Sequence, residues 1–155
     1  LLYVHLTGDS TWYGPALLRL NWATYMVDDD GKNRFPTDDI WLTDGYGDYV
    51  RHYLRAMAAD PQLAPKGADH ILSSTSVVRQ ASYASGPQDV RVRYETFDGE
   101  GSDVLTLKQK PLTVTLDDKT LQEINSGEGY TWRPLETGGV LTIRRNNGNT
   151  VKISY

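Results

Sequence analysis

Between Thr43 and Pro61 the large apolar residues Tyr46, Tyr49, Val50, Tyr53, Leu54 and Met57 stand three and four apart, the spacing that gathers side chains into one stripe of a helix. Asp48, Arg51, His52 and Arg55 then face the other way. Asp44 and Asp48 place negative charge at the positive end of the helix dipole, and Pro61, which has no N–H to give, forces a stop. The pattern predicts an amphipathic helix over about residues 44–60. A stripe of this kind has to be buried against another element. Most of the sequence that follows has period 2, so a sheet is its expected partner.

From Val90 onward apolar and polar residues alternate. Val90, Val92 and Tyr94 interleave with Arg91, Arg93 and Glu95, and DGEGSD turns the chain into VLTLKQK. Leu112, Val114 and Leu116 interleave with Thr113 and Thr115 before a second turn at DDK. Val140–Arg145 and Val151–Tyr155 flank NNGN, where Asn147-Gly148 predicts a closing hairpin. His70 to Tyr83, β-branched and rich in Ser and Thr, reads as one further strand. Strands joined by turns, with no helices between them, predict an antiparallel β-sandwich.

The N-terminal part is read as strands and loops. LLYVHL alternates and ends in the turn-like TGDS. Pro15 would suit the first turn of a helix, but on a helical wheel the apolar residues of PALLRLNWATYMV spread around the whole circumference. As a strand, Leu18, Leu20, Trp22 and Met26 share a face, and the strand is the reading preferred. Asp28–Asp39, DDDGKNRFPTDD, is an acidic loop whose spacing fails as a calcium-binding EF-hand, because Gly31 falls fourth and Lys32 fifth. The expected fold is therefore mainly β: one domain over 1–155, with N-terminal strands and loops in 1–42, a packed helix in 43–61 and an antiparallel sandwich in 70–155. A chain of 155 residues buries roughly 70% of its unfolded surface, enough for one real core.

Composition removes several classes of function. With no cysteine, disulfides, thiolate catalysis and cysteine-ligated zinc are excluded. The net charge is −4 and the acidic excess lies in the first 70 residues, so neither half offers the basic surface expected of a nucleic-acid binder. No apolar run approaches the ~18–20 residues of a membrane-spanning helix. Neither nucleic acid nor membrane is expected as a partner. The chain opens on Leu1 with no signal peptide in view and reads as a mature or excised piece. Ten Tyr and four Trp against two Phe favour rings with a polar handle, which suit interfaces and sugar surfaces.

Candidate chemistry is sparse. Asp44 and Asp48 lie at i and i+4, but acids in a first turn serve capping and the dipole. Asp38 and Asp39 are sequence neighbours, which says nothing of convergence on a substrate. Asp98, Glu100 and Asp103 in DGEGSD are weak candidates for a calcium site, against the simpler reading of a hairpin turn. His5, His52 and His70 have no catalytic or ligating partner at a telling spacing, and GYG and TGGV lack the order of a phosphate-binding loop. No catalytic residue and no cofactor is predicted. The remaining signal is aromatic. Trp12, Tyr13 and Trp41 lie beside loops, and Tyr130 and Trp132, two apart, share one face of a strand. All five are candidates for stacking on sugar faces, although a sandwich core also calls for Tyr130 and Trp132.

The segments PLTVTLDDKTL and GYTWRPLETGGVLTIRRNNGNTVKI resemble the β-sandwich domains that trail the catalytic domains of bacterial glycoside hydrolases. Those domains commonly show a Val-x-Val-x-Gly-Lys-type hairpin, an aromatic strand and a Leu-x-Ile closing strand; here Asp118 stands where a glycine is more usual. WLTDGYGDYVRHYLRAMAADPQLAP is similar to the helical approach into such a domain. The resemblance implies a non-catalytic C-terminal module that packs on and supports a neighbouring catalytic domain, in a periplasmic or extracellular protein. The alternative is a carbohydrate-binding module that holds glycan by stacking.

Overall fold

The computed structural model describes residues 1–22, 45–84 and 90–155, with the backbone alone for 22 and 45–50. The chain divides into two compact units, Leu1–Leu63 and Ala64–Tyr155. The described part of the first is helical: α1 (Leu2–Thr7), a 3-10 turn (Ser10–Trp12), α2 (Tyr13–Trp22), α3 (Gly45–Ala59) and a second 3-10 turn (Pro61–Leu63).

The expected N-terminal strands are therefore helices within residues 1–22, and the local reasons are visible. Gly8, at φ 73°, closes α1 by donating its N–H to the Val4 carbonyl, and Thr7 Oγ1 bonds the Tyr3 carbonyl one turn back. Asp9 then accepts from the Thr11 N–H and starts the next turn. TGDS is thus a helix stop followed by a helix start. In α2, Pro15 lies in the first turn, where its missing N–H costs nothing. The wide spread of apolar residues that argued for a strand reflects a helix with Leu18 out in solvent.

Helix α3 forms where expected, but its buried face is displaced from the predicted stripe. Tyr53 is half-buried and bonds the Leu20 carbonyl, whereas Leu54 is exposed and Ala56 and Ala59 are buried instead. Arg51, His52 and Arg55 are exposed, as the pattern required. The side chains of Tyr46, Tyr49, Val50 and Asp48, and the whole of Asp28–Asp39 and Asp44, lie outside the described residues. Asp60 ends the helix and accepts from the Gln62 N–H in the following turn.

The second unit consists of two antiparallel sheets, and mainly β is the class of the whole chain. Its strands are β1 (His70–Ser74), β2 (Val78–Tyr83), β3 (Val92–Thr96), β4 (Gly101–Leu107), β5 (Thr113–Leu116), β6 (Lys119–Thr120), β7 (Gly129–Pro134), β8 (Gly139–Arg145) and β9 (Thr150–Ser154). One sheet has the order β1-β4-β8-β7, the other β2-β3-β9-β5-β6. The inner faces bury Val92, Tyr94, Leu105, Leu107, Val114, Leu116, Leu141, Ile143, Val151 and Ile153, the alternate positions of their strands. Leu112 shares that parity but precedes β5 and is 83% exposed.

Two turns differ from expectation. The stretch His70 to Tyr83 is two strands, one in each sheet. The predicted hairpin around Asn147-Gly148 is instead an arch, because β8 and β9 belong to opposite sheets. Glycine is needed there for space: a Cβ at 148 would lie 2.5 Å from Leu116 Cγ. DGEGSD is likewise an arch, from β3 to β4. The tight hairpin is at Asp117-Asp118, where φ values of 46° and 67° give both residues the left-handed backbone of a type I′ turn. Asp117 accepts from the Thr150 N–H at 2.9 Å, and Asp118 from Lys152 Nζ at 2.5 Å. That bond to Lys152 holds the Asp118 carboxyl below the usual carboxylate range. These bonds from β9 hold both acids in that backbone, Asp118 at the position where a glycine is more usual.

Candidate functional site

At the end of the sandwich that carries these two arches, Arg145 and Asp103 form an ion pair with no solvent exposure of either side chain. Arg145 Nε donates to Asp103 Oδ2 at 2.8 Å and Nη2 to Oδ1 at 3.4 Å. Oδ2 also accepts from the Tyr94 hydroxyl at 2.8 Å, and Oδ1 from Ser74 Oγ at 2.6 Å. Arg145 Nη1 reaches the carbonyls of Asp98 and Gly148, one on each arch. Burial, then the Asp103 charge, push the Tyr94 phenol well above its ordinary range, against the opposing effect of Arg145. Gly101 makes room for the guanidinium, since a Cβ there would lie 2.8 Å from Arg145 Nη2. The cluster fastens both arches. Every polar atom of its carboxylate and guanidinium faces a protein partner, so it offers a substrate no reactive group.

This placement decides the DGEGSD candidates. Asp103 is buried and committed to Arg145, Tyr94 and Ser74; Asp98 accepts from Ser76 Oγ; Glu100 is exposed. The three carboxylates do not converge. Among the described residues no group of three or more His, Asp or Glu is placed to hold a metal ion.

The aromatic candidates separate as well. Tyr130 is buried in the core, and Trp132 packs against the same core partly buried, its ring close to Gly139. Tyr13 donates to Asp60 Oδ2 at 2.7 Å, and that bond raises its pKa. Trp41 lies outside the described residues. Trp12 is 57% exposed, at the end of the first 3-10 turn.

Trp12 lines an open groove of about 570 Å³ with Tyr3, Val4, Pro15 and Arg19. A second groove, of about 370 Å³, shares Leu1, Ala16 and Arg19 with it and runs on to Leu2, Leu20 and Ala56, with His52 and Arg55 at its edge. Leu2, Tyr3, Leu6, Leu18 and Leu54 are all more than half exposed in the same unit. Both grooves are walled largely by carbon. Among the described residues no helix is long and apolar enough to cross a membrane.

Sequence reasoning missed the Arg145–Asp103 pair, although a signal was present. Arg145 has the parity of Leu141 and Ile143, and Asp103 that of Leu105 and Leu107, so each strand carries one charge on its inward face. Opposite charges at inward positions of two strands point to a buried pair. The grooves had no such signal, because they depend on 1–22 being helical. Comparison with family models, with curated proteins and with solved structures finds no match for this chain.

Proposed function

We propose that this chain is a non-catalytic accessory module of a larger carbohydrate-active enzyme, in which the sandwich is a rigid platform and the helical unit docks a neighbouring catalytic domain. The observation that carries the reading is the apolar surface of the helical unit. Leu2, Tyr3, Leu6, Trp12, Leu18 and Leu54 are exposed together in a unit of three described helices, where a soluble surface would put charge. The link to carbohydrate enzymes rests on the likeness of PLTVTLDDKTL and GYTWRPLETGGVLTIRRNNGNTVKI to sandwiches that follow glycoside hydrolase domains, and a periplasmic or extracellular setting goes with it.

Stacking of sugar on Trp12 is the second reading, favoured by the exposure of that ring in an open groove. Co-expression with glycoside hydrolase catalytic domains encoded beside this chain, together with glycan titration of the chain alone, separates the two. The expected result is a one-to-one complex that survives gel filtration and is lost in the Leu6→Lys/Trp12→Lys double variant. Absence of any complex, with saturable quenching of tryptophan fluorescence by a glycan that Trp12→Ala abolishes, would establish the sugar-binding reading instead. Release of reducing sugar by the isolated chain would overturn both.

A further inference from the structure

The groove that runs from Leu2 across Ala16 and Leu20 to Ala56 has an apolar floor and a cationic edge. Arg19, His52 and Arg55 stand along it, all three exposed. None of them makes an ion pair or a side-chain hydrogen bond among the described residues. The two carboxylates whose side chains are described in this unit are engaged elsewhere: Asp9 caps the first 3-10 turn, and Asp60 holds the Tyr13 hydroxyl and the Gln62 N–H. Two guanidiniums with no counter-ion among the described residues, beside an apolar trough, favour an occupant that brings both carbon and carboxylate. Arginine pairs with carboxylate in a fixed two-bond geometry, which gives orientation as well as attraction.

We infer that this groove receives an acidic amphipathic helix, its leucine-like side chains against Leu2, Leu20 and Ala56 and its carboxylates on Arg19 and Arg55. The inference rests on the docking reading above and names the chemistry of the docked segment as part of the catalytic domain. Helices laid in grooves bind through apolar residues three and four apart, and flanking charge sets which helix is accepted. A second copy of this chain is a poor occupant, since a two-fold contact through the groove would set Arg19 and Arg55 against their own counterparts.

The test uses the full chain and a labelled synthetic helix with leucines three and four apart and glutamates beside them, read by fluorescence anisotropy. A glutamine version of the peptide is expected to bind about tenfold more weakly, and the difference should shrink as salt is raised. The Arg19→Glu/Arg55→Glu variant, altered only at exposed positions, should lose the glutamate peptide and take up a lysine version. Equal affinity for the glutamate and glutamine peptides would overturn the inference and leave apolar docking intact. So would failure to bind any peptide while the complex with a catalytic domain persists. Loss of peptide binding and of that complex together would remove both readings. Binding to phosphatidylserine vesicles with no preference among the peptides would show that the edge recognises a membrane surface, and the inference would fall.

Discussion

In the sandwich, Tyr94 donates its hydroxyl to Asp103 at a point from which water is excluded; in the helical unit, Tyr13 makes the same kind of bond to Asp60 near the surface. The contrast extends to the rest of each unit. The sandwich core comprises twelve buried apolar residues with a guanidinium–carboxylate pair beside them; of its exposed apolar residues, Val77, Phe97, Leu112 and Ile124 lie outside the strands and Tyr83 ends β2. Among the described residues of the helical unit only Ala56, Ala59 and Pro61 are buried, while six leucine- to tryptophan-sized side chains stand in water. Burial at ~25 cal/mol per Å² of apolar surface therefore stabilises the sandwich more than the described part of the helical unit. The sandwich buries its large apolar side chains between its sheets, whereas the described residues of the helical unit leave most of theirs in water.

The sharpest way to break this comparison is at the buried pair. Asp103→Ala leaves Arg145 without its carboxylate and is expected to cost ~3–5 kcal/mol, read from the urea unfolding midpoint at constant slope. Replacing both residues by apolar ones, Asp103→Leu with Arg145→Met, should cost less than the single change, because no lone charge is then buried. A loss below ~1 kcal/mol for Asp103→Ala would show that water reaches the pair. Next in size is a matched pair of truncations. Ile143→Ala, at a fully buried position, should cost ~2–5 kcal/mol, and Leu18→Ala, at a 71% exposed one, less than ~0.5 kcal/mol. Similar losses at the two sites would mean that Leu18 is covered in solution and that the helical unit has no open face.

The sandwich was legible in the sequence because its signal is local: Val92 and Tyr94, Val114 and Leu116, Val151 and Ile153 declare an inner face two residues at a time. Which strands share a sheet was not. The same Asn147-Gly148 dipeptide that closes a hairpin in one context spans the gap between sheets here, and that choice is made by long-range packing, with Leu116 against Gly148. Asp117-Asp118 shows the reverse, a genuine type I′ turn without glycine, because Lys152 and the Thr150 N–H bond the acids. The N-terminal helices were misread for a different reason. Short apolar runs such as LLYVHL fit either period, and the deciding residues, Gly8 as a stop and Asp9 as a start, look like any turn. Of the aromatic candidates, Tyr130 and Trp132 share a face, as their spacing required, but it is the face that packs on the core, while Trp12 is exposed and Trp41 lies outside the described residues.

The smallest expected effect, and the finest discrimination between the units, comes from their two tyrosines. Tyr94→Phe removes a hydrogen bond to a buried carboxylate and should cost ~1.5–3 kcal/mol, while Tyr13→Phe removes one that solvent can replace and should cost under ~1 kcal/mol. The pH dependence adds a second readout. Burial and Asp103 raise the Tyr94 pKa in the folded state above that of the unfolded chain, so the folded form retains its proton over a range in which the unfolded form has lost it. The corresponding stability is complete below the ordinary tyrosine pKa of ~10 and is lost as the pH climbs from there toward the folded value. The unfolding midpoint of the native chain should therefore fall with pH above about 10, and Tyr94→Phe should flatten that fall more than Tyr13→Phe does. If the two variants follow the same alkaline curve, Tyr94 is no better shielded than Tyr13, and the distinction between a closed sandwich and an open helical unit fails at its most buried point.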